Sequence, residues 1–153
     1  MAAALFRGAG IDDVRVLRAA ADGGGAGGPA VLARKPAAAG YPTVLLYAHH
    51  DVQPPGDPLL WDHPAFAAVE RDGRLFGRGA ADDKAGIIMH LGAFRALGEV
   101  LPGFGHGVTV FIEGEEESGS PTLGKLLDAH GTCCARTRSL SPTRATGRSA
   151  CRQ

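Results

Sequence analysis

The chain has 153 residues, of which 44% are apolar and 6% aromatic, with 23 glycines and 10 prolines. This length allows one small domain or part of a larger one. The formal net charge of +0 argues against a dedicated nucleic-acid-binding protein, which usually carries a basic excess. No apolar run approaches the ~20 residues needed to cross a bilayer, and the N-terminus lacks the apolar core of a secretory signal. We therefore predict a cytoplasmic α/β protein with no nucleic-acid or membrane partner.

Charge is unevenly distributed along the chain. All 16 acidic residues lie within residues 1–130, whereas residues 131–153 contain five arginines and all three cysteines. This final segment has neither helical nor strand periodicity, and its clustered cysteines do not predict a disulfide framework. We interpret residues 1–130 as the folded part and residues 131–153 as a disordered or frame-shifted tail. In a reading frame moved back by one base, the tail can encode an apolar strand followed by Asp-Ser-Gly.

The first 130 residues alternate between helix and strand patterns. In chain order they predict the end of a helix over Met1–Ala9, strands over Val14–Leu17, Ala30–Ala33 and Thr43–Tyr47, a hairpin of Ala67–Glu70 and Arg74–Phe76, a helix over Asp82–Leu97, a strand over Val108–Ile112 and a helix over Thr122–Ala129. The apolar run Thr43–Tyr47 is typical of a central strand buried on both faces. Asp72-Gly73 is a strong turn signal for the hairpin. This alternation predicts a parallel or mixed sheet with helices packed on it.

Three polar clusters fall at or near the ends of these elements, where open α/β sheets bind ligands. They are His49-His50-Asp51, Gly77-Arg78-Gly79-Ala80-Ala81-Asp82-Asp83-Lys84, and Glu113-Gly114-Glu115-Glu116-Glu117-Ser118-Gly119-Ser120. Because the clustered carboxylates repel one another, cations or protons must neutralise them. Histidine and carboxylates without cysteine favour zinc, manganese or cobalt over a structural thiolate zinc site.

Each cluster also has a plain structural interpretation when it is considered alone. Asp82 is then most simply a helix N-cap. The acidic run Glu115–Glu117 is a solvated loop, and His49 is a buried histidine beneath a loop. The three clusters together, in a fold that brings strand ends close to one another, favour a metal site over these separate interpretations.

The motifs Tyr47-Ala48-His49-His50-Asp51-Val52-Gln53-Pro54, Gly77–Lys84 and Glu115-Glu116-Glu117-Ser118-Gly119-Ser120 resemble one family. It is the family of di-zinc metallopeptidases that includes acetylornithine deacetylase, succinyl-diaminopimelate desuccinylase, aminoacylase and carnosinase. The resemblance covers about residues 5–130 and is strongest to the dipeptidase branch. It implies a three-layer, zinc-exopeptidase-like fold with a mixed sheet and flanking helices, here an incomplete catalytic domain without its lid domain.

The resemblance also implies a role for individual residues. His49, Asp82 and Glu117 are the expected ligands of two divalent ions, of which zinc is the first choice and manganese or cobalt the alternatives. Asp82 is expected to bridge the two ions and to precede a cis peptide bond to Asp83. Asp51 is expected to orient His49, and Glu116 to act as the general base that activates water.

Members of this family are more than twice as long as this chain. They carry a further carboxylate ligand, a final histidine ligand and a lid domain through which they form homodimers, whereas no Asp, Glu or His follows His130 here. We therefore expect a chain truncated at both ends, and two functions remain open. One is a fragment of a di-metal hydrolase that cleaves the amide bond of dipeptides or N-acyl amino acids. The alternative is a non-catalytic fragment with at most weak metal binding.

Overall fold

The computed structural model describes residues 1–131 and the backbone of residues 137–140. The α-helices are α1 (Ala2–Gly8), α2 (Ala85–Val100) and α3 (Leu123–His130). The strands are β1 (Asp13–Leu17), β2 (Ala30–Lys35), β3 (Thr43–His49), β4 (Val69–Arg71), β5 (Arg74–Phe76), β6 (Gly107–Glu113) and β7 (Thr137–Leu140). Short 3₁₀ turns at Pro58–Leu60 and Glu116–Ser118, and an irregular turn at Ala80–Lys84, complete the described part of the chain.

Five strands form one mixed sheet in the order β1-β2-β6-β3-β7. The pairs β1–β2 and β2–β6 are antiparallel, whereas β6–β3 and β3–β7 are parallel. In the β3–β6 register His49 is paired with Glu113, so the two strands end side by side. The loops that follow β3 and β6 therefore leave the same edge of the sheet, and this places the first and third polar clusters together.

Helices cover both faces of the sheet and make the three layers that the resemblance implies. On one face, Phe6 of α1 and Ile87 and Leu91 of α2 join the inward residues of β1, β2, β3 and β6 in the larger apolar core. On the other face, Leu126 of α3 packs with Phe111 and with residues of β2 in a smaller cluster. Strand β6 is buried along its whole length, as its apolar sequence predicts.

The predicted hairpin is confirmed. Strands β4 and β5 pair antiparallel around Asp72 and Gly73, which both have positive φ angles of 50° and 71°. Positive φ at both central residues is the geometry of the hairpin turn that Asp-Gly sequences favour. None of the helices in residues 1–131 is long and apolar enough to cross a membrane.

Three structural expectations are wrong. Thr43–Tyr47 is only half-buried, because Leu46 packs only partly against the larger core and Leu45 and Tyr47 only partly against the smaller cluster. Helix α2 begins at Ala85 rather than at Asp82, since Asp82 and Asp83 have non-helical backbone angles. The plain interpretation of Asp82 as the N-cap is wrong as well, because Lys84 occupies that position.

The segment after His130 contains a strand that its sequence pattern does not predict. The backbone of Thr137–Leu140 pairs parallel with Thr43–Leu46 of β3. Such pairing uses main-chain N–H and C=O groups, so it does not require apolar periodicity. The expectation of a disordered or frame-shifted tail otherwise falls on residues 132–136 and 141–153, which lie outside the described part of the chain.

Candidate metal centre

Three separate elements bring His49, Asp82 and Glu117 together. His49 is the last residue of β3, Asp82 lies in the irregular turn before α2, and Glu117 lies in the 3₁₀ turn after β6. One ligand atom from each of these residues lies within 4.8 Å of the other two. The three residues that the resemblance assigns to metal binding therefore surround a common point, as parallel strand ends predict.

His49 is the buried member of this group, with 1% of its surface exposed. Its Nε2 lies 3.0 Å from Oδ1 of Asp82 and 3.7 Å from Oε2 of Glu116. Burial lowers the pKa of His49, but the surrounding carboxylates, first Glu116 and then Asp83, raise it above its usual value overall. The imidazole thus lies in a strongly negative environment that favours a positive charge at its Nε2 face.

Asp51 connects His49 to the turn that carries Glu117. Its Oδ1 lies 3.4 Å from Nδ1 of His49, and its Oδ2 accepts a hydrogen bond of 2.9 Å from the backbone N–H of Glu117. Gln53 adds a second connection, because its amide donates to both the carbonyl and the carboxylate of Glu117. The loop after β3 therefore holds the loop after β6 through two side chains.

Glu116 has the electrostatics of a carboxyl group that can take up a proton. Partial burial raises its pKa, His49 lowers it, and the neighbouring carboxylates of Glu117, Asp82 and Asp51 raise it, with a net increase. About two fifths of its side chain remains exposed. Glu116 is therefore accessible to water and has a higher proton affinity than an ordinary surface glutamate.

The adjacent residues of the same motifs point elsewhere. Nε2 of His50 lies 2.7 Å from the carbonyl of Pro29, and Glu115 accepts hydrogen bonds from Gly28 and Thr122. Of the two adjacent histidines, only His49 faces the acidic cluster. Of the three glutamates, Glu116 and Glu117 face it, which is the pair that the resemblance selects.

Sequence reasoning assigned no role to two further buried carboxylates. Asp83 accepts a hydrogen bond from the backbone N–H of His49, and its peptide bond to Asp82 is cis, which confirms what the resemblance implies. Glu113, which is 2% exposed, accepts a 2.6 Å hydrogen bond from Tyr47. An acidic residue at the end of an otherwise apolar strand, as in Val108–Glu113, is the sequence signal that could have indicated Glu113.

The donor set suits a divalent cation of the zinc, manganese or cobalt type. Such ions accept one imidazole nitrogen together with carboxylate oxygens. Nδ1 of His49 hydrogen-bonds to the backbone carbonyl of Asp51 at 3.3 Å. If Nδ1 carries the proton of the ring, then Nε2 and the nearby Asp82 oxygen are both lone-pair atoms, 3.0 Å apart. Two such atoms require a proton or a cation between them. Oδ1 of Asp51 is also buried without a hydrogen-bond partner in the described part of the chain.

Comparison with known proteins decides the family. The sequence pattern of peptidase family M20/M25/M40 matches residues 45–140, which include all three clusters. The chain belongs to this family. Membership in this peptidase family confirms the resemblance that the three motifs carry.

Several M20 relatives match somewhat more than half of this chain. A cysteinylglycine-S-conjugate dipeptidase of Corynebacterium striatum is 49% identical over 90 residues, 58% of this chain and 20% of that protein. A Beta-Ala-His dipeptidase of Homo sapiens is 39% identical over 89 residues, 56% of this chain and 17% of that protein. The crystal structure of human carnosine dipeptidase 1 superposes with a TM-score of 0.70 at 29% identity, covering 92% of this chain and 31% of that one.

The chain therefore spans about a fifth of the curated M20 relatives and under a third of the solved carnosine dipeptidase. The di-peptidase Dug1p of Saccharomyces cerevisiae gives the same result, with a TM-score of 0.72 at 25% identity over 84% of this chain and 28% of that one. These superpositions confirm the M20 fold for the mixed sheet and its helices.

Proposed function

We propose that this chain is the metal-binding part of an M20 hydrolase that cleaves the amide bond of dipeptides or N-acyl amino acids. The observation that carries the proposal is the meeting of His49, Asp82 and Glu117 within 4.8 Å, with Glu116 beside them. Two of the relatives compared above are named dipeptidases, and another M20 relative is named succinyl-diaminopimelate desuccinylase. These names support a small substrate with a scissile amide bond.

In this proposal His49, Asp82 and Glu117 hold divalent metal, with zinc preferred and manganese or cobalt as alternatives. We propose two ions in the whole protein, as the resemblance implies. When bound, such ions supply Lewis acidity, which polarises an amide carbonyl and acidifies water. The side chains contribute the binding, the orientation and the proton transfer.

Glu116 is the proposed general base. Its raised pKa makes Glu116 a stronger proton acceptor than an ordinary glutamate. It can therefore take a proton from water and later return it to the leaving amine. Asp51 is the proposed orienting residue, since it faces Nδ1 of His49 and leaves Nε2 directed at Asp82. A carboxylate that faces the second nitrogen of a ligating histidine fixes its tautomer and ring orientation.

The donor count favours the alternative of a non-catalytic chain with weak metal binding. Zinc usually takes four ligands, and the described residues bring together three. We therefore expect the 153-residue chain alone to show little or no dipeptide hydrolysis with added zinc or manganese. Turnover at the rate of a full-length dipeptidase would contradict this expectation. Dimerisation through a lid domain stays a prediction for the whole protein.

A chimera tests the hydrolase proposal. The matching 90-residue segment of the Corynebacterium striatum dipeptidase is replaced by this chain's segment, and dipeptide hydrolysis is measured with added zinc. We expect activity, and we expect Glu116→Gln in the chimera to lower kcat by about 100-fold or more with metal still bound. Glu70→Gln, on the exposed face of the hairpin, is the matched control. A folded, metal-loaded chimera without turnover would reject the proposal.

A further inference from the structure

Glu115 precedes the proposed base but belongs to a different set of contacts. Its Oε1 accepts a 2.6 Å hydrogen bond from the backbone N–H of Gly28. Its Oε2 accepts from the hydroxyl of Thr122 at 2.6 Å and from the backbone N–H of Thr122 at 3.2 Å. These donors hold the pKa of Glu115 below its usual value. A carboxylate held by three donors has a fixed orientation, because charge-assisted hydrogen bonds are short and strong.

Thr122 uses its hydroxyl in an unusual way for its position. It is the N-cap residue of α3, yet its side chain caps no backbone N–H of that helix. An N-cap threonine normally uses its oxygen for that purpose and so stabilises the helix. Here the hydroxyl of the fully buried Thr122 is instead directed at Glu115. Helix α3 thus lacks this capping hydrogen bond, and the hydroxyl instead donates to Glu115, the residue before Glu116.

The other partner of Glu115 is a tightly packed piece of the loop between β1 and β2, residues 27–29, which we term the anchor segment. A Cβ added at Gly28 would come within 2.6 Å of both the Gly114 carbonyl and Cγ of Glu115. One added at Gly27 would come within 2.6 Å of the Thr122 side chain. Only glycine allows this approach, so the anchor segment lies directly against the start of the acidic turn.

The anchor segment contacts two of the three chain segments that form the candidate metal centre. Pro29 accepts a hydrogen bond of 2.7 Å from Nε2 of His50, and Gly28 donates to Glu115. His50 adjoins His49 in the chain, and Glu115 adjoins Glu116. Consecutive residues of one loop therefore hold the immediate neighbours of His49 and of Glu116, although that loop contributes no member to the acidic cluster.

We propose that Glu115 is a positioning residue, which through Thr122 and the anchor segment fixes the turn carrying Glu116 and Glu117 in the geometry that binds metal. This inference rests on the proposed function, since it concerns the same site. Groups that orient metal ligands typically change metal affinity by 10–100-fold when they are removed. A contact that served only packing would change the stability of the fold and leave the affinity of the folded protein unchanged.

Two substitutions of Thr122 separate these possibilities. Thr122→Val keeps the shape and removes the hydroxyl donor, whereas Thr122→Ser keeps the donor and removes a buried methyl group. Co²⁺ is titrated into the 153-residue chain and its variants, with the visible absorption of the bound ion as the readout of ligand geometry. Urea unfolding of the metal-free proteins, followed by circular dichroism, gives the stability of each variant separately.

We expect Thr122→Ser to bind Co²⁺ like the wild type and Thr122→Val to bind about tenfold more weakly, with an altered absorption spectrum. Glu115→Gln, which keeps the side-chain size, is expected to behave like Thr122→Val, and it replaces that variant if Thr122→Val does not fold. Equal Co²⁺ affinity and equal spectra in the folded wild type, Thr122→Val and Glu115→Gln would overturn the inference. Absence of Co²⁺ binding by the folded wild type would instead overturn the metal site of the proposed function.

Discussion

The side chain of Asp51 joins two parts of the candidate metal centre that are far apart in sequence. Its Oδ1 lies beside the imidazole of His49, and its Oδ2 accepts from the backbone of Glu117, 66 residues later. A single carboxylate thus lies against a histidine and holds the start of the acidic 3₁₀ turn. Replacing it is therefore expected to affect the ligand geometry at two points.

We predict that Asp51→Asn weakens metal binding by about 10–100-fold, the usual cost of losing an orienting carboxylate. The asparagine oxygen can still accept from Glu117, so the fold is retained, but the charge facing Nδ1 of His49 is lost. Isothermal titration with Zn²⁺ or Co²⁺ measures the effect, and Asp128→Asn on the exposed side of α3 is the control. Unchanged affinity in folded Asp51→Asn would show that Asp51 has no orienting role.

Which side chains face the cluster could be predicted only in part. The motif order selected His49 over His50 and Glu116–Glu117 over Glu115, and the structure brings the selected residues together. The contacts of Glu115 with Gly28 and of Asp83 with His49 were not predictable from the chain, because these partners are backbone groups of residues 87 and 34 positions away. Such long-range contacts depend on the assembled sheet, and no local pattern encodes them.

Among the helices, strands and turns, those with a distinctive local sequence pattern were predicted best. The Asp72-Gly73 turn and the apolar run of β6 each have a pattern that leaves one favourable structure, and both were predicted correctly. The start of α2 was misplaced, because the preference of Asp for the N-cap position favours Asp82, while the backbone there is not helical. Strand β7 was missed, since its pairing with β3 uses main-chain groups that have no side-chain signature.

Helix α2 gives a matched pair for testing the larger apolar core. Ile87 is 3% exposed within that core, whereas the next residue, Ile88, is 54% exposed. We predict that Ile87→Ala lowers the free energy of unfolding by about 2–4 kcal/mol and that Ile88→Ala changes it by less than about 0.5 kcal/mol. Urea denaturation measures both, and the two substitutions share the same change in helix propensity. Equal losses would mean that α2 does not pack on the sheet through Ile87.

At the scale of the whole molecule, the candidate metal centre connects three elements that are distant in sequence. His49 ends β3, Asp82 precedes α2, and Glu117 follows β6. Without a cation, the carboxylates of Asp82, Glu116 and Glu117 repel one another. Burial is the first cause of the raised pKa of Glu116, and this repulsion raises it further. Metal that binds the assembled site more tightly than the unfolded chain must therefore stabilise the complete arrangement of sheet and helices.

We accordingly predict that Zn²⁺ raises the free energy of unfolding by about 2.7 kcal/mol at a free concentration 100 times its Kd, as single-site linkage requires. Asp82→Asn, at a side chain that is 65% exposed, is expected to unfold like the wild type without metal and to lose most of this gain. Asp128→Asn is expected to keep the full gain, and a chelator should reverse it. Urea unfolding at several Zn²⁺ concentrations measures the shift. If Zn²⁺ stabilises wild type and Asp82→Asn equally, the ion binds elsewhere, and the three elements do not form a metal site.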